Sequence, residues 1–344
     1  MIKSQNYILD FSHVYMDERL NEAIEQAEYS TAEQSIPEYS TAEQSMPEYL
    51  TAEQSIPEYS TAEQAIPEYS TAEQSMPEYS TAEQSMPKYL TTEQPSDNHD
   101  NLDMNECKQN LDEQNQPITI IDCSDIQGCD LYCTTEAENE IIKRTERYGI
   151  SGIHFIDSGN YHYISKINTD RIDYDFSLVL YDHHTDMQKP MLEGMTSCGD
   201  WAGLVLEQNK NLIQLILVGP TEDDIKNIDL KNKDKLIIFS QEELRNNRGR
   251  EKLEKIKTDV PFYISIDKDI LDKHYIETNW SQGHMSLSML EHLLKFFLKD
   301  KKIIGIDICG ECQMDLPFPK YIEAEEKNSK TNEELFEYIE KYVK

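Results

Sequence analysis

The sequence lacks the features of a membrane or secreted protein. No apolar run in its 344 residues approaches the roughly 18 residues that a membrane span needs. Its first residues, MIKSQN, are polar and show no apolar stretch with a small-residue cleavage site, as a secretory signal would. Its seven cysteines are an odd number scattered through a long chain, which is typical of reduced thiols rather than a disulfide framework. We therefore expect a cytoplasmic protein with no membrane partner.

Basic residues are scarce as well. The chain has 32 lysines and arginines against 66 aspartates and glutamates, a formal net charge of −34. This imbalance argues against nucleic acid or an anionic membrane as a partner, because both attract basic surfaces. Hydrophobic residues make up only 38% of the chain, which indicates that part of it does not fold.

A ten-residue repeat explains this composition. The unit EYSTAEQSIP begins at Glu28 and recurs almost unchanged five more times up to Pro87, and a degraded copy follows. Proline returns every ten residues and ends any helical turn early. One tyrosine and one isoleucine or methionine per unit bury too little area to offset chain entropy. We expect residues 28–117, which hold 19 acids and two bases, to be a mostly disordered insertion that is free to bind an unknown protein.

The two flanks of this insertion look like parts of one domain. Residues 7–15 (YILDFSHVY) and 118–122 (ITIID) are both rich in apolar side chains. Without residues 28–117, 254 of the 344 residues remain, a normal size for a single domain. We predict that residues 1–27 are the N-terminal part of a domain continued by residues 118–344. The insertion then interrupts this domain at a surface loop, where added residues cost little.

After residue 117, short apolar segments alternate with amphipathic ones. The predicted strands are residues 118–122, 152–157, 176–182, 212–218, 235–239, 261–267 and 302–308. The predicted helices are residues 136–148, 200–208, 287–299 and 332–343. This alternation is typical of an α/β fold with three layers, in which helices cover both faces of a mostly parallel sheet. Sites in such sheets form at the carboxyl ends of the strands.

Three of these strand ends carry acidic and histidine side chains: residues 152–162 offer several candidates just past a strand, and two further segments show regular spacing. The segment LVLYDHHTD ends in Asp182, His184 and Asp186, which share a face if the strand continues, and FYISIDKD ends in Asp267 and Asp269. Such residues also form turns and helix caps, an alternative that suits the second segment better than the first. Converging carboxylates repel one another without a cation. An oxygen-rich set suits manganese or a similar ion better than a structural zinc.

These segments resemble motifs of the ureohydrolases, the family of arginase, agmatinase and formiminoglutamase. Residues 182–186 are similar to the family's Asp-Ala-His-x-Asp motif. Residues 265–272 (SIDKDILD) are similar to its Ser-x-Asp-x-Asp-x-x-Asp-Pro motif, although Lys273 replaces the proline. The first family motif, Gly-Gly-Asp/Asn-His-Ser, is present in altered form at residues 158–162 (SGNYH). The resemblance covers about residues 150 to 310 and implies an arginase-like fold.

The resemblance also implies a site for two manganese ions and the reaction that they support. Asp182 and Asp267 would bridge both ions; the full ligand set would be His162, Asp182, His184, Asp186, Asp267 and Asp269. His154 is the alternative to His162, because Tyr161 interrupts the motif. The implied reaction is hydrolysis of a linear C–N bond in a guanidino or amidino compound by metal-bound hydroxide. The substrate would be a small molecule, and family members often form homo-oligomers.

A cysteine and a glutamate complete the candidate site, and a further pair of cysteines invites a separate interpretation. Cys198 stands where arginases and agmatinases have a proton-shuttling histidine, and it is a candidate nucleophile, an acid of altered strength or a packing residue. Glu311 is the substrate-binding candidate, one residue out of register with the family's glutamate. Cys309 and Cys312 are spaced like a zinc or redox pair. No second pair with suitable spacing supports zinc, and no helix N-terminus supports redox chemistry.

Two other functions compete with the dinuclear hydrolase. A deacylase with the same fold and one zinc ion is disfavoured, because arginase-like deacetylases lack the full second set of carboxylates, here Asp186 and Asp269. A catalytically silent metal-binding domain that displays the repeats for a protein partner would explain the missing shuttle histidine.

Overall fold

The computed structural model describes residues 5–15, 118–192 and 194–343. All of them fall within one unit of the chain, which joins Met1–Ser35 to Asp112–Lys344. The predicted repeat insertion lies outside the described residues. No described helix is long and apolar enough to cross a membrane.

The described residues alternate between strands and helices. The strands are β1 (Tyr7–Asp10), β2 (Thr119–Asp122), β3 (Tyr132–Cys133), β4 (Ile153–Ile156), β5 (Phe176–Tyr181), β6 (Thr196–Ser197), β7 (Leu212–Val218), β8 (Leu236–Phe239), β9 (Phe262–Asp267) and β10 (Ile303–Cys309). The α-helices are α1 (Thr135–Thr145), α2 (Ile164–Thr169), α3 (Trp201–Gln208), α4 (Glu222–Lys226), α5 (Gln241–Arg245), α6 (Arg250–Leu253), α7 (Leu287–Leu298) and α8 (Phe318–Glu340). Two 3-10 turns, Gly159–Tyr161 and Lys268–Ile270, follow β4 and β9.

Eight of these strands form one sheet in the order β2-β1-β4-β10-β9-β5-β7-β8. Every pairing in this sheet is parallel, so all eight carboxyl ends meet at one edge. β5 and β9 are neighbours, and Tyr181 is paired with Ile266. Asp182 and Asp267 therefore follow at equivalent positions, in the middle of the sheet edge.

The sheet buries both of its faces. Along β5, Leu178 and Leu180 join a core cluster with Trp201 of α3, while Val179 and Tyr181 join a second cluster with α7 and α8 on the opposite face. Strands buried on both faces must be apolar throughout, which is why they are continuous apolar segments in the sequence. The three-layer α/β fold with a parallel sheet, predicted from the sequence, is confirmed.

The predicted elements agree with the structure to within three residues at each end, except near the C-terminus. Each of the seven predicted strands is present, with ends that differ by a residue or so. The predicted helix 332–343 is wrong in extent, because α8 begins at Phe318, directly after Pro317, and ends at Glu340. Its first half is rich in charged residues and showed no apolar face. β1, which the sequence indicated only as folded, is an internal strand between β2 and β4.

Candidate metal centre

Local hydrogen bonds, rather than continued strands, place the carboxylates at this edge. β5 ends at Tyr181, and the backbone N–H of His184 donates to Asp182 Oδ1 at 2.5 Å. Beyond β9, the N–H of Asp269 donates to Asp267 Oδ1 at 2.9 Å. These are Asx turns, in which an aspartate caps the backbone two residues later. They bend both segments so that the side chains converge, whereas the sequence had suggested an extended strand beyond Tyr181.

One half of the centre surrounds His162, which follows the 3-10 turn after β4. Its Nδ1 lies 2.9 Å from Asp186 Oδ2, 3.3 Å from Asp182 Oδ2 and 3.5 Å from Asp267 Oδ2. Its Nε2 lies 2.9 Å from Ser265 Oγ. His162, Asp182 and Asp186 are buried and close enough to share one ion.

The other half surrounds His184. Its Nδ1 lies 2.7 Å from Asp269 Oδ2 and 3.6 Å from Asp182 Oδ1, and its Nε2 lies 2.8 Å from Ser281 Oγ. Asp182, His184 and Asp269 are also close enough to share an ion. Asp182 thus offers Oδ2 to the first group and Oδ1 to the second. Only Oδ2 of Asp267 lies near His162, in the first group. That Asp267 bridges both ions therefore stays a prediction.

The carboxylates at this edge of the sheet repel one another strongly. Burial, followed by repulsion from Asp269, raises the pKa of Asp267 to about 7. Burial and repulsion from Asp182 raise the pKa of Asp269 to about 6. Burial disfavours the charged form of His184, but Asp182 and Asp269 outweigh it and raise its pKa to about 12. A positive charge that lies among these carboxylates is therefore stabilised.

The donor set fits divalent cations. Asp182 Oδ2 is buried and accepts no hydrogen bond from the part of the chain that the structure describes, which is costly unless a cation lies beside it. Carboxylate oxygens outnumber imidazoles, as manganese and magnesium prefer. Ser265 and Ser281 each engage the outer nitrogen of a histidine, which leaves Nδ1 to face the carboxylates, as is usual for metal-binding histidines.

A cleft of about 210 Å³ opens onto these residues. Trp280 and Tyr132 form parts of its wall, and Cys198 and Gln188 line it beside the carboxylates. Trp280 is 39% exposed and packs edge-on to His184, with ring centroids 5.9 Å apart. The cleft is large enough for a small molecule bound against the cluster.

Cys198 lines this cleft, and its thiol is a weak acid. Burial, followed by the charge of Asp186, raises the pKa of its thiol to about 12. Little thiolate is then present near neutral pH, which disfavours a nucleophilic role.

Glu311, the substrate-binding candidate, is engaged elsewhere. Its carboxylate pairs with Lys268 and accepts hydrogen bonds from Tyr15 Oη (3.0 Å) and Asn332 Nδ2 (2.9 Å). Burial opposes its charge, but Lys268 outweighs that effect and lowers the pKa of Glu311. The residue is 3% exposed and is not among those that line the cleft. Glu311 thus neutralises a fully buried lysine.

His154, the alternative to His162, lies away from the carboxylate cluster. It points from β4 to Asp307, with Nδ1 2.8 Å from Asp307 Oδ1, and stacks on Tyr7 at 4.1 Å. The structure therefore brings His162, and not His154, to the other five predicted ligands.

Two contacts within the centre were not predicted from the sequence. Trp201 Nε1 donates to Asp186 Oδ2 at 2.6 Å, and Cys309 Sγ donates to Asp267 Oδ2 at 3.3 Å. Cys309 lies at the end of β10, paired with Asp267, whereas the sequence had singled it out only through its spacing from Cys312. Among the described residues, Cys312 belongs to no group that could share an ion with Cys309.

The fold and the site define an α/β protein with a buried carboxylate–histidine cluster at its strand ends. The chain matches the arginase family over residues 91–313, and it belongs to that family. An uncharacterized protein of Thermotoga maritima is 30% identical over 185 residues, which cover 54% of this chain and 68% of that protein.

Solved structures with some similarity include two enzymes. Formimidoylglutamase from Bacillus subtilis is 15% identical, with a TM-score of 0.46 and coverage of 64% of this chain and 71% of that one. Agmatine ureohydrolase of Thermoplasma volcanium is also 15% identical, with a TM-score of 0.48 and coverage of 66% and 74%.

Proposed function

We propose that this chain is a dinuclear manganese hydrolase that cleaves a linear C–N bond in a guanidino or amidino compound. One observation carries the proposal: Asp182 directs one carboxylate oxygen to each of two neighbouring ligand groups. Membership of the arginase family supports the reaction class.

The residues around the cluster have distinct roles in this proposal. His162, Asp186 and Asp267 would hold one ion, His184 and Asp269 the other, and Asp182 both. When bound, two such ions acidify water for attack on a planar carbon. Ser265 and Ser281 orient the two imidazoles. The walls of the cleft, Trp280 among them, would position a planar substrate against the cluster.

The cleft favours a substrate that needs little proton shuttling from the protein. Its lining beyond the cluster carries neutral side chains, including Gln188, Ser197 and Cys198, and no further histidine. Gln188 and Ser197 can hydrogen-bond the N–H groups of an amidino compound.

A catalytically silent domain that displays the repeats is the second candidate, and the missing shuttle histidine favours it.

Metal content tests this proposal directly. We expect about two manganese ions per chain in protein purified with manganese, and a loss of both in Asp267→Ala, because this carboxylate lies at the centre of the cluster. Elemental analysis would measure the content, with Asp223→Ala at an exposed position as the control.

Substrate screening follows from that result. With two ions bound, guanidino and amidino compounds would be screened for released urea or ammonia. One zinc ion per chain would instead support the deacylase, and the absence of stoichiometric metal would refute the hydrolase. Two ions with no turnover of any such compound would support the silent domain.

A further inference from the structure

A second cavity lies under α7, on the face of the sheet that α7 and α8 cover. It encloses about 330 Å³ between that helix and the segment that carries α5 and α6. Its lining shares no residue with the cleft at the metal centre. The volume falls in the range of sites that bind small organic molecules.

The inner surface of this cavity is apolar, with one polar exception. Val218, Phe239, Leu293 and Phe297 form much of the wall. Tyr181, the last residue of β5, also lines the cavity, and no group of the described residues hydrogen-bonds its buried hydroxyl. An unpaired buried hydroxyl costs free energy, and a polar group on a bound ligand would remove that cost.

The rim of the cavity is basic, in a protein that is otherwise strongly acidic. Arg248, Arg250 and His292 line it and are exposed, and no aspartate or glutamate lines it. Glu243, on α5, is engaged by Lys252 Nζ at 2.6 Å, and Arg248 is a more distant partner of the same carboxylate. Arg250 Nη2 donates to Asn247 Oδ1 at 3.3 Å, which leaves further guanidinium donors available. Positive charge at this rim is therefore not neutralised by the cavity's own lining.

We propose that this cavity binds a small organic anion with an apolar body, such as an aryl-substituted carboxylate. The apolar body displaces water from the walls, and the carboxylate pairs with Arg248 and Arg250, whose planar donors suit it. The hydroxyl of Tyr181 gains a partner from a polar group on the ligand. This proposal does not rest on the reaction proposed for the metal centre.

Calorimetric titration of the full chain with 3-(4-hydroxyphenyl)propionate tests the proposal. We expect saturable binding of this anion, and about tenfold weaker binding of the matching neutral amide, because the charge-assisted bonds to arginine are lost. The double variant Arg248→Gln/Arg250→Gln should lose about tenfold in affinity for the acid and almost nothing for the amide. Arg245→Gln, a nearby exposed arginine outside the lining, should bind like the wild type.

The hydroxyl of Tyr181 is tested by a ligand pair. The wild type should prefer 3-(4-hydroxyphenyl)propionate to 3-phenylpropionate, and Tyr181→Phe should lose that preference while it still binds 3-phenylpropionate. Equal affinity of the wild type for acid and amide, or no binding of either, would overturn the proposal. That comparison needs no variant, so it decides even if Tyr181→Phe fails to fold.

Discussion

His162 is held by a line of hydrogen bonds that leads away from the carboxylates. Its Nε2 lies 2.9 Å from Ser265 Oγ, which lies 2.8 Å from Ser165 Oγ, and Ser165 donates to Asp307 Oδ2 at 2.8 Å. All four residues are buried. When Nε2 carries the proton, the lone pair of Nδ1 points to the cluster, which is the tautomer that a metal ion requires.

The substitution Ser265→Ala removes the hydroxyl that orients this imidazole. We predict that it weakens manganese binding by about 10- to 100-fold, the usual effect of losing such an outer contact. Titration calorimetry with manganese measures the change, and Ser288→Ala, at an exposed position on α7, is the control. Unchanged affinity in Ser265→Ala would show that packing alone orients His162.

Asp10, at the end of β1, is a buried acid outside the candidate metal centre. It is fully buried, and the backbone N–H groups of His13 and Tyr15 only partly offset its charge. Burial, and then repulsion from Asp157, raises its pKa to about 6. A carboxyl group whose pKa rises on folding binds more protons in the folded state, so its effect on stability becomes less favourable as pH increases.

Asp10→Asn should therefore stabilise the protein at pH 7, by on the order of 2 kcal/mol in the free energy of unfolding. The gain should shrink as pH falls through about 6 and disappear below about 4, where the carboxyl is protonated in both states. Urea denaturation at several pH values measures it. Asp122→Asn, at the exposed register partner on β2, should show no gain. A pH-independent effect of Asp10→Asn would contradict the electrostatic cause.

At the scale of elements, the turn after β10 packs directly against the end of β9. Gly310 has a φ of +102°, which favours glycine. A Cβ there would lie 2.7 Å from Asp267 Oδ1 and 3.1 Å from the backbone nitrogen of Lys268. The position of the central carboxylate therefore depends on the absence of a side chain on the neighbouring turn.

Gly310→Ala should displace Asp267 and lower manganese affinity by at least about tenfold, as loss of a supporting contact does. Gly194→Ala is a matched control, because Gly194 also has a positive φ (+79°) but no atom within 4 Å of its added Cβ. The control should lose about 1 kcal/mol of stability and no metal affinity. Equal metal affinity in the two variants would mean that the turn yields without moving the carboxylate.

The elements that could be predicted from the sequence are those whose burial produces a local pattern of apolar residues. The central strands are apolar throughout because both faces are covered. α8 was placed too late because its first half is polar, and it packs through a few residues such as Ala324 and Asn328. At the site, motif spacing indicated the ligands, but it did not indicate Ser265 as the partner of His162. That contact joins residues 103 apart and arises only from the sheet order.

At the scale of the whole molecule, the strands on either side of the repeats are neighbours. β1 and β2 pair from Tyr7 with Thr119 to Asp10 with Asp122, and β1 also pairs with β4. The sheet thus contains strands from both sides of residues 16–117. Two parallel neighbours need a crossover of about a dozen residues or more, far fewer than this chain has between them.

Deletion of residues 28–117 should therefore leave the sheet and the metal centre intact. With residues 16–27 kept and a glycine–serine linker of about eight residues added, the crossover is long enough. We expect unchanged manganese stoichiometry and a melting temperature within a few degrees of the full chain's, since the closure entropy of a loop varies slowly with its length. Elemental analysis and calorimetry measure both. Loss of bound manganese together with loss of cooperative unfolding would show that the repeats are part of the folded domain, contrary to the predicted insertion.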